Sequence, residues 1–138
     1  MSEFWNSGEE VFMAMMSMYA KAAMDPVIIK KSADMKFLTL YEFTDPDVKI
    51  WIDSRGEIPG AGMGDPPDAP DITVSIAADD AHRNWSGKLN LMLAIARNRM
   101  RLGGKATKML KMATAAKRMT AAYNEGLREM GKADIILE

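Results

Sequence analysis

An α+β fold follows from three features of the sequence. Apolar residues recur at steps of three and four near both ends of the chain, the spacing of a helix face. Between those ends, shorter stretches alternate apolar and polar residues with a period of two, the spacing of a strand. The 138 residues are 48% hydrophobic and 27% charged, which suits one packed core rather than a disordered chain, so a single domain is expected over residues 1–138.

Ser7-Gly8-Glu9-Glu10 has the form of a capping box, with Ser at the cap and Glu three residues on. Val11, Phe12, Met15, Met16 and Tyr19 follow at helical spacing, which predicts an amphipathic helix. Asp25-Pro26 stops it and opens a second short helix through Lys31, since Pro is tolerated in a first helical turn. From Met35 the period drops to two: Met35, Phe37, Thr39, Tyr41 and Phe43 share one face of a strand. Thr44-Asp45-Pro46-Asp47 supplies turn chemistry, and Val48, Ile50 and Ile52 repeat the alternation with Trp51 facing away. An antiparallel hairpin is the expected result.

Residues 54–70 hold four glycines and four prolines and read as a surface loop, with room for one short strand near Glu57-Ile58. A third strand carries Ile72, Val74 and Ile76 on one face. Ala78-Asp79-Asp80 opens a helix that carries Trp85 before Gly87 closes it, with "DDAHRNW" read as a solvated face. A short helix over "NLMLAIA" and a fourth strand over "RMRL" come next, Arg99 and Arg101 on one side and Met100 and Leu102 on the other. After Gly103-Gly104 one long helix is expected, its stripe made of Met109, Met112, Ala116, Met119, Tyr123, Leu127 and Met130, with Gly131 as its end. Lys105, Lys108 and Lys111 run beside that stripe at steps of three.

The net charge of -1 hides a division. Met1 to Asp80 carries 15 acidic and 6 basic residues, whereas Ala81 to Asn124 carries 10 basic residues and no acidic one. Such a block can meet an anionic ligand, a phospholipid surface or nucleic acid, or it can pair with the acidic half of its own fold. With no Cys, disulfides, thiolate chemistry and Cys-ligated zinc are excluded. Glu3, Glu9 and Glu10 stand where a signal peptide places positive charge, and no apolar run approaches a membrane span, so a cytoplasmic location is expected. Methionine, at 14 residues, is the compositional oddity: the flexible thioether fills or reshapes irregular apolar space.

The segment Asp71 to Met112 resembles the sterol carrier protein type-two family, also called the sterol-binding or lipid-transfer domain. The resemblance rests on the strand "DITVSI" at Asp71 to Ile76, the acidic Asp79-Asp80, and "GKLN" at Gly87 to Asn90, after which Ala94, Met100-Arg101-Leu102 and Gly104 fall into place without a gap. Leu91 replaces a family Pro, Ile95 an aromatic residue, Asn98 a Gly, and Lys105 an Asp or Asn. Asn98 preserves tolerance of an unusual backbone. The resemblance implies a mixed, mainly antiparallel sheet of about five strands covered by helices and enclosing an apolar cavity that takes fatty acid, fatty acyl-CoA or a sterol-like lipid.

Inward faces of the expected elements nominate Phe12, Met16, Phe37, Tyr41, Leu89, Met92, Ile95, Met100, Met109, Met112, Met119 and Tyr123 as ligand-binding residues. Lys105, Lys108 and Lys111 are expected near the mouth, facing a headgroup or an anionic membrane surface. The expected partner is a lipid or acyl-CoA, with transient membrane contact, no nucleic acid, no cofactor and no metal. Catalysis is the first rival and would have to be built on His82, the single histidine. Nucleic-acid binding is the second, but no Phe, Tyr or Trp lies between Trp85 and Tyr123 to stack bases within the basic block. The third is a ligand-free accessory or oligomerisation module, such as a homodimer, that uses the Met-rich helix face.

Overall fold

In the computed structural model, which describes residues 2–138, two opening helices lead into a hairpin. Helix α1 spans Gly8–Ala22 and α2 spans Pro26–Ser32. Ser7 caps α1 by accepting from the Glu10 N–H at 3.2 Å; the returning bond of the expected capping box lands one residue early, Glu10 accepting from the N–H of Asn6 at 3.0 Å. Asp25 caps α2, its carboxylate accepting from the Val27 N–H at 2.9 Å, with Pro26 in the first turn. Strands β1 (Leu38–Thr44) and β2 (Val48–Asp53) form the predicted antiparallel hairpin, β1 starting three residues later than the alternation suggested.

A short strand does lie in the Gly/Pro stretch, but at Gly60–Met63 (β3), not at Glu57-Ile58; Ile58 is exposed. β4 (Ile72–Ala77), α3 (Ala78–Trp85), α4 (Leu91–Ala96) and β5 (Met100–Gly104) follow in the expected order. The five strands form one mixed sheet in the order β3-β2-β1-β4-β5, with only the β1–β4 pair parallel. The register lines up Tyr41 with Ile50 and Val74, and Val74 with Leu102; Phe43 lines up with Val48 and Ile76, and Ile76 with Met100. Period-two alternation therefore gives the sheet one continuous apolar face.

α1 and the last helix, α5 (Ala116–Glu129), pack together over that face. Val11, Met15 and Met18 from α1 and Tyr123 and Leu127 from α5 are essentially inaccessible to solvent and belong to the same apolar cluster as Tyr41, Ile50, Val74 and Met100. Gly126 permits this close approach: a Cβ there would lie 2.4 Å from Ser17 Oγ and 3.0 Å from Ser17 Cβ.

The predicted long helix after Gly104 is two elements. Residues Ala106–Ala115 form a 3-10 helix, and only from Ala116 does the α-helix run, to Glu129. Its end is as expected, with Gly131 at φ 76°. The unusual backbone at Asn98 is also present, at φ 60°. Gly104 has φ 65°, and a Cβ would sit 2.1 Å from the Asp71 carbonyl oxygen, so the chain can turn out of β5 here only as glycine.

Because β3 and β4 both run parallel to β1, the connection 64–71 must return past β2 and β1 to reach β4. It is tied at both ends. Gly64 N–H donates to Lys49 O at 2.8 Å, and Asp71 exchanges two bonds with Leu38, one to its N–H and one to its C=O. Arg55 forks onto Asp53 and reaches Asp68.

Candidate functional site

Ten of the twelve nominated residues meet in one apolar cluster between the helices and the sheet: Phe12, Met16, Phe37, Tyr41, Leu89, Ile95, Met100, Met109, Met119 and Tyr123. Tyr41, Met100 and Tyr123 are buried, and the other seven are partly buried against them. Met112 lies apart, packed with Met119 on a small second cluster of Ala22, Ile28 and Ala115. Met92 does not face the interior; it is 68% exposed. α4 is less than two turns long, and its inward stripe is Leu91, Ala94 and Ile95, so the intervening Met92 and Leu93 turn to solvent.

Among the described residues, the enclosed cavity implied by the resemblance is not shown. Met15, Met18 and Met100 are packed into the space between helices and sheet, and two concavities at the surface are open grooves of about 520 and 370 Å³. The first is lined by Lys30, Lys31, Ala33, Asp34, Lys111 and Thr114, the second by residues of the β1–β2 hairpin.

Few polar groups lie inside the cluster, and those that do are mostly tied up. The Tyr19 and Tyr41 hydroxyls meet at 3.1 Å, and burial raises the pKa of both phenols. His82 is not on a solvated face, as the "DDAHRNW" reading had it, but wholly buried; its neighbour Asp80 is buried too. Its Nε2 lies 2.8 Å from the Ile135 carbonyl, which can only accept, so Nε2 carries the proton and Nδ1 accepts from the Tyr123 hydroxyl at 2.6 Å. Burial lowers the His82 pKa and raises that of Tyr123. With both nitrogens committed and Phe4 and Trp5 against the ring, His82 holds the chain's two terminal segments to its core. A signal for this existed in the sequence: Ala78, Ala81, His82 and Trp85 stand at i, i+3, i+4 and i+7, an inward stripe that includes the histidine.

The basic block pairs in part with the acidic half of the fold. Arg83 and Arg99 both reach Asp80, Arg83 also reaches Glu3, Arg118 binds Asp25 at 2.9 Å, and Lys111 binds Asp34. Lys111 and Arg118 hold the carboxyls of Asp34 and Asp25 below the usual carboxylate range. Of the nominated rim lysines, Lys105, Lys108 and Lys111 are all exposed, and Lys108 lies 5.8 Å from the centre of the Phe37 ring.

The whole arrangement, a five-stranded mixed sheet with the α1–α5 pair on one face, superimposes on solved sterol carrier proteins. With sterol carrier protein domain 2 of Helicoverpa armigera the TM-score is 0.63 at 18% identity, covering 85% of this chain and 96% of that one. The chain has the sterol carrier protein fold. Sterol carrier protein 2 from Yarrowia lipolytica in its apo form gives a TM-score of 0.54 at 13% identity, over 91% of this chain and 95% of that chain. Palmitated SCP2L2 from Aedes aegypti gives 0.54 at 17% identity, over 80% and 95%. No family model matches the chain, and no curated protein matches its sequence.

Proposed function

We propose that this protein is a cytoplasmic carrier that binds a fatty acid, fatty acyl-CoA or sterol-like lipid between the α1–α5 pair and the sheet and transfers it without a covalent step. The observation that carries the reading is the likeness of fold to sterol carrier proteins along nearly the whole of both chains, one of them a palmitated form. The chemistry of the interior suits such a guest. Met16, Met100, Met109 and Met119 contribute flexible side chains that can swing aside, so an alkyl chain replaces protein atoms instead of entering a standing void. Each methylene brought out of water contributes about 0.8 kcal/mol, so a long chain gains on the order of 10 kcal/mol before the costs of binding, enough for micromolar affinity without a specific polar contact.

Organic extraction of freshly purified protein followed by mass analysis tests this directly. Co-purifying acyl or sterol mass near one per chain is the expected result. A clean chain that also fails to take up a fluorescent fatty acid refutes the carrier. Reversing the charges of Lys105, Lys108 and Lys111 to Glu should slow transfer to anionic vesicles while leaving fatty-acid affinity nearly unchanged, and loss of both together counts against their role at the rim.

A further inference from the structure

Lysines from two elements some eighty positions apart converge on the larger surface groove. α2 ends in Lys30 and Lys31, and the 3-10 segment brings Lys111 and Thr114 opposite them, with Ala33 and Asp34 completing the wall. The charges in this groove do not cancel. Asp34, its single carboxylate, is taken by Lys111. The Lys31 ammonium donates to Thr114 Oγ1 at 2.8 Å, a neutral partner, and among the described residues neither Lys30 nor Lys31 meets a carboxylate. Lysines in a last helical turn suit the helix dipole, which accounts for Lys30 and Lys31 being on α2 but not for Lys111 being brought up to them.

The 3-10 geometry accounts for that. At three residues per turn, side chains three apart fall on one side of the segment, so Lys108, Lys111 and Thr114 share a face, with a rise of about 6 Å per turn. In an α-helix each step of three would swing the next side chain by about 60° and scatter the row. The sequence keeps the beat: Lys105-Ala106-Thr107, Lys108-Met109-Leu110, Lys111-Met112-Ala113. The middle residues of these triplets, continued by Ala115, form the buried or half-buried column, and Thr107, Leu110 and Ala113 form the exposed one. Ten residues of 3-10 helix are uncommon because the hydrogen-bond geometry is poorer than in an α-helix. Here the conformation keeps the apolar column inward while Lys111 and Thr114 face Lys30 and Lys31 of α2 across the groove.

We propose that the α2 and 3-10 groove is a binding site for a phosphate-bearing ligand, in which Lys30, Lys31 and Lys111 hold the phosphate and Thr114 Oγ1 positions the Lys31 ammonium. Lysine binds phosphate as a mobile point charge and needs no forked geometry. At about 520 Å³ the groove has room for organic substituents beyond the phosphate group itself. The phosphate belongs either to a soluble phosphomonoester or to a lipid headgroup in a bilayer, and the inference rests on the carrier reading only for what is attached to it.

The test uses the full chain, labelled with nitrogen-15, titrated with glycerol 3-phosphate and, in a second arm, mixed with phosphatidylcholine vesicles with and without phosphatidic acid. Saturable amide shifts confined to residues 30–34 and 111–114 assign a soluble phosphomonoester; co-sedimentation that requires phosphatidic acid assigns a headgroup. In either arm the Lys30→Gln/Lys31→Gln variant should bind at least tenfold more weakly and Thr114→Val several-fold more weakly, while Lys88→Gln, away from the groove, stays at the parent value. No binding in either arm overturns the proposal. So does an equal loss in the Lys88→Gln control, which would mean diffuse attraction to a basic surface. Fatty-acid uptake measured on the same samples separates the two readings: uptake without phosphate binding removes this inference alone, and phosphate binding without uptake removes the carrier alone.

Discussion

Replacing Gly126 with Ala probes the contact that seats α5 on α1, and the sign of the effect is informative. In a helix interior, Ala is favoured over Gly by about 1 kcal/mol, so on an open helix surface the substitution would stabilise the protein. Here the added methyl lies 2.4 Å from Ser17 Oγ, 3.0 Å from Ser17 Cβ and 3.5 Å from the Ser17 carbonyl carbon. The hydroxyl can rotate away, but Cβ moves only if α1 moves, and overpacking of that kind costs about 1–3 kcal/mol. The net expectation is destabilisation by up to about 2 kcal/mol, read from urea unfolding midpoints at constant m-value. Ser17→Gly removes both short contacts, so the double variant should recover much of the loss, with a coupling of about 1–2 kcal/mol across the cycle. A Gly126→Ala variant that is stabilised, or a coupling indistinguishable from zero, would refute the close packing of the helix pair that covers the apolar sheet face.

Tyr123→Phe deprives the buried His82 Nδ1 of its donor and should cost about 1–3 kcal/mol in the same assay, with little change in far-ultraviolet dichroism. Because burial lowers the His82 pKa, the unfolded chain takes up the proton first as pH falls below about 6.5; stability should be full above that value and decline below it until folded His82 itself titrates. Unfolding midpoints between pH 7.5 and 5.5 check this, and His82→Gln should flatten that part of the profile while lowering stability overall. Gly104→Ala would force a side chain into the left-handed region and onto the Asp71 carbonyl; a loss of more than about 2 kcal/mol is expected, and a neutral result would mean that the β5 exit is not as described.

Much of the framework was legible because it depends on neighbours in sequence. Ser7 and Asp25 act as caps, and the apolar sheet face is the alternation of β1, β2, β4 and β5 carried into register; the positive φ of Asn98 was expected only from the resemblance, in which it replaces a Gly. The 3-10 segment was missed although its signal was present. Lys, Met and Ala favour α-helix, and a stripe read in steps of three and four absorbs a pure period of three without complaint. β3 has two glycines among its four residues and little strand propensity; it exists because β2 lies beside it and Trp51 covers Gly60 and Gly62.

The sequence alone determined the α+β class, the starts of α1 and α2, the alternation of the strands, and the segregation of basic from acidic halves, since periodicity and caps act over a few residues. Only the tertiary structure decided the β1–β4 pairing, the Ile135 carbonyl and Tyr123 hydroxyl as the partners of His82, the outward turn of Met92 and the meeting of Lys30 and Lys31 with Lys111. The state of the interior was decided there as well. Whether Met15, Met18 and Met100 leave a tunnel or fill one depends on side-chain volumes summed over segments distant in the chain, a quantity that no local pattern carries.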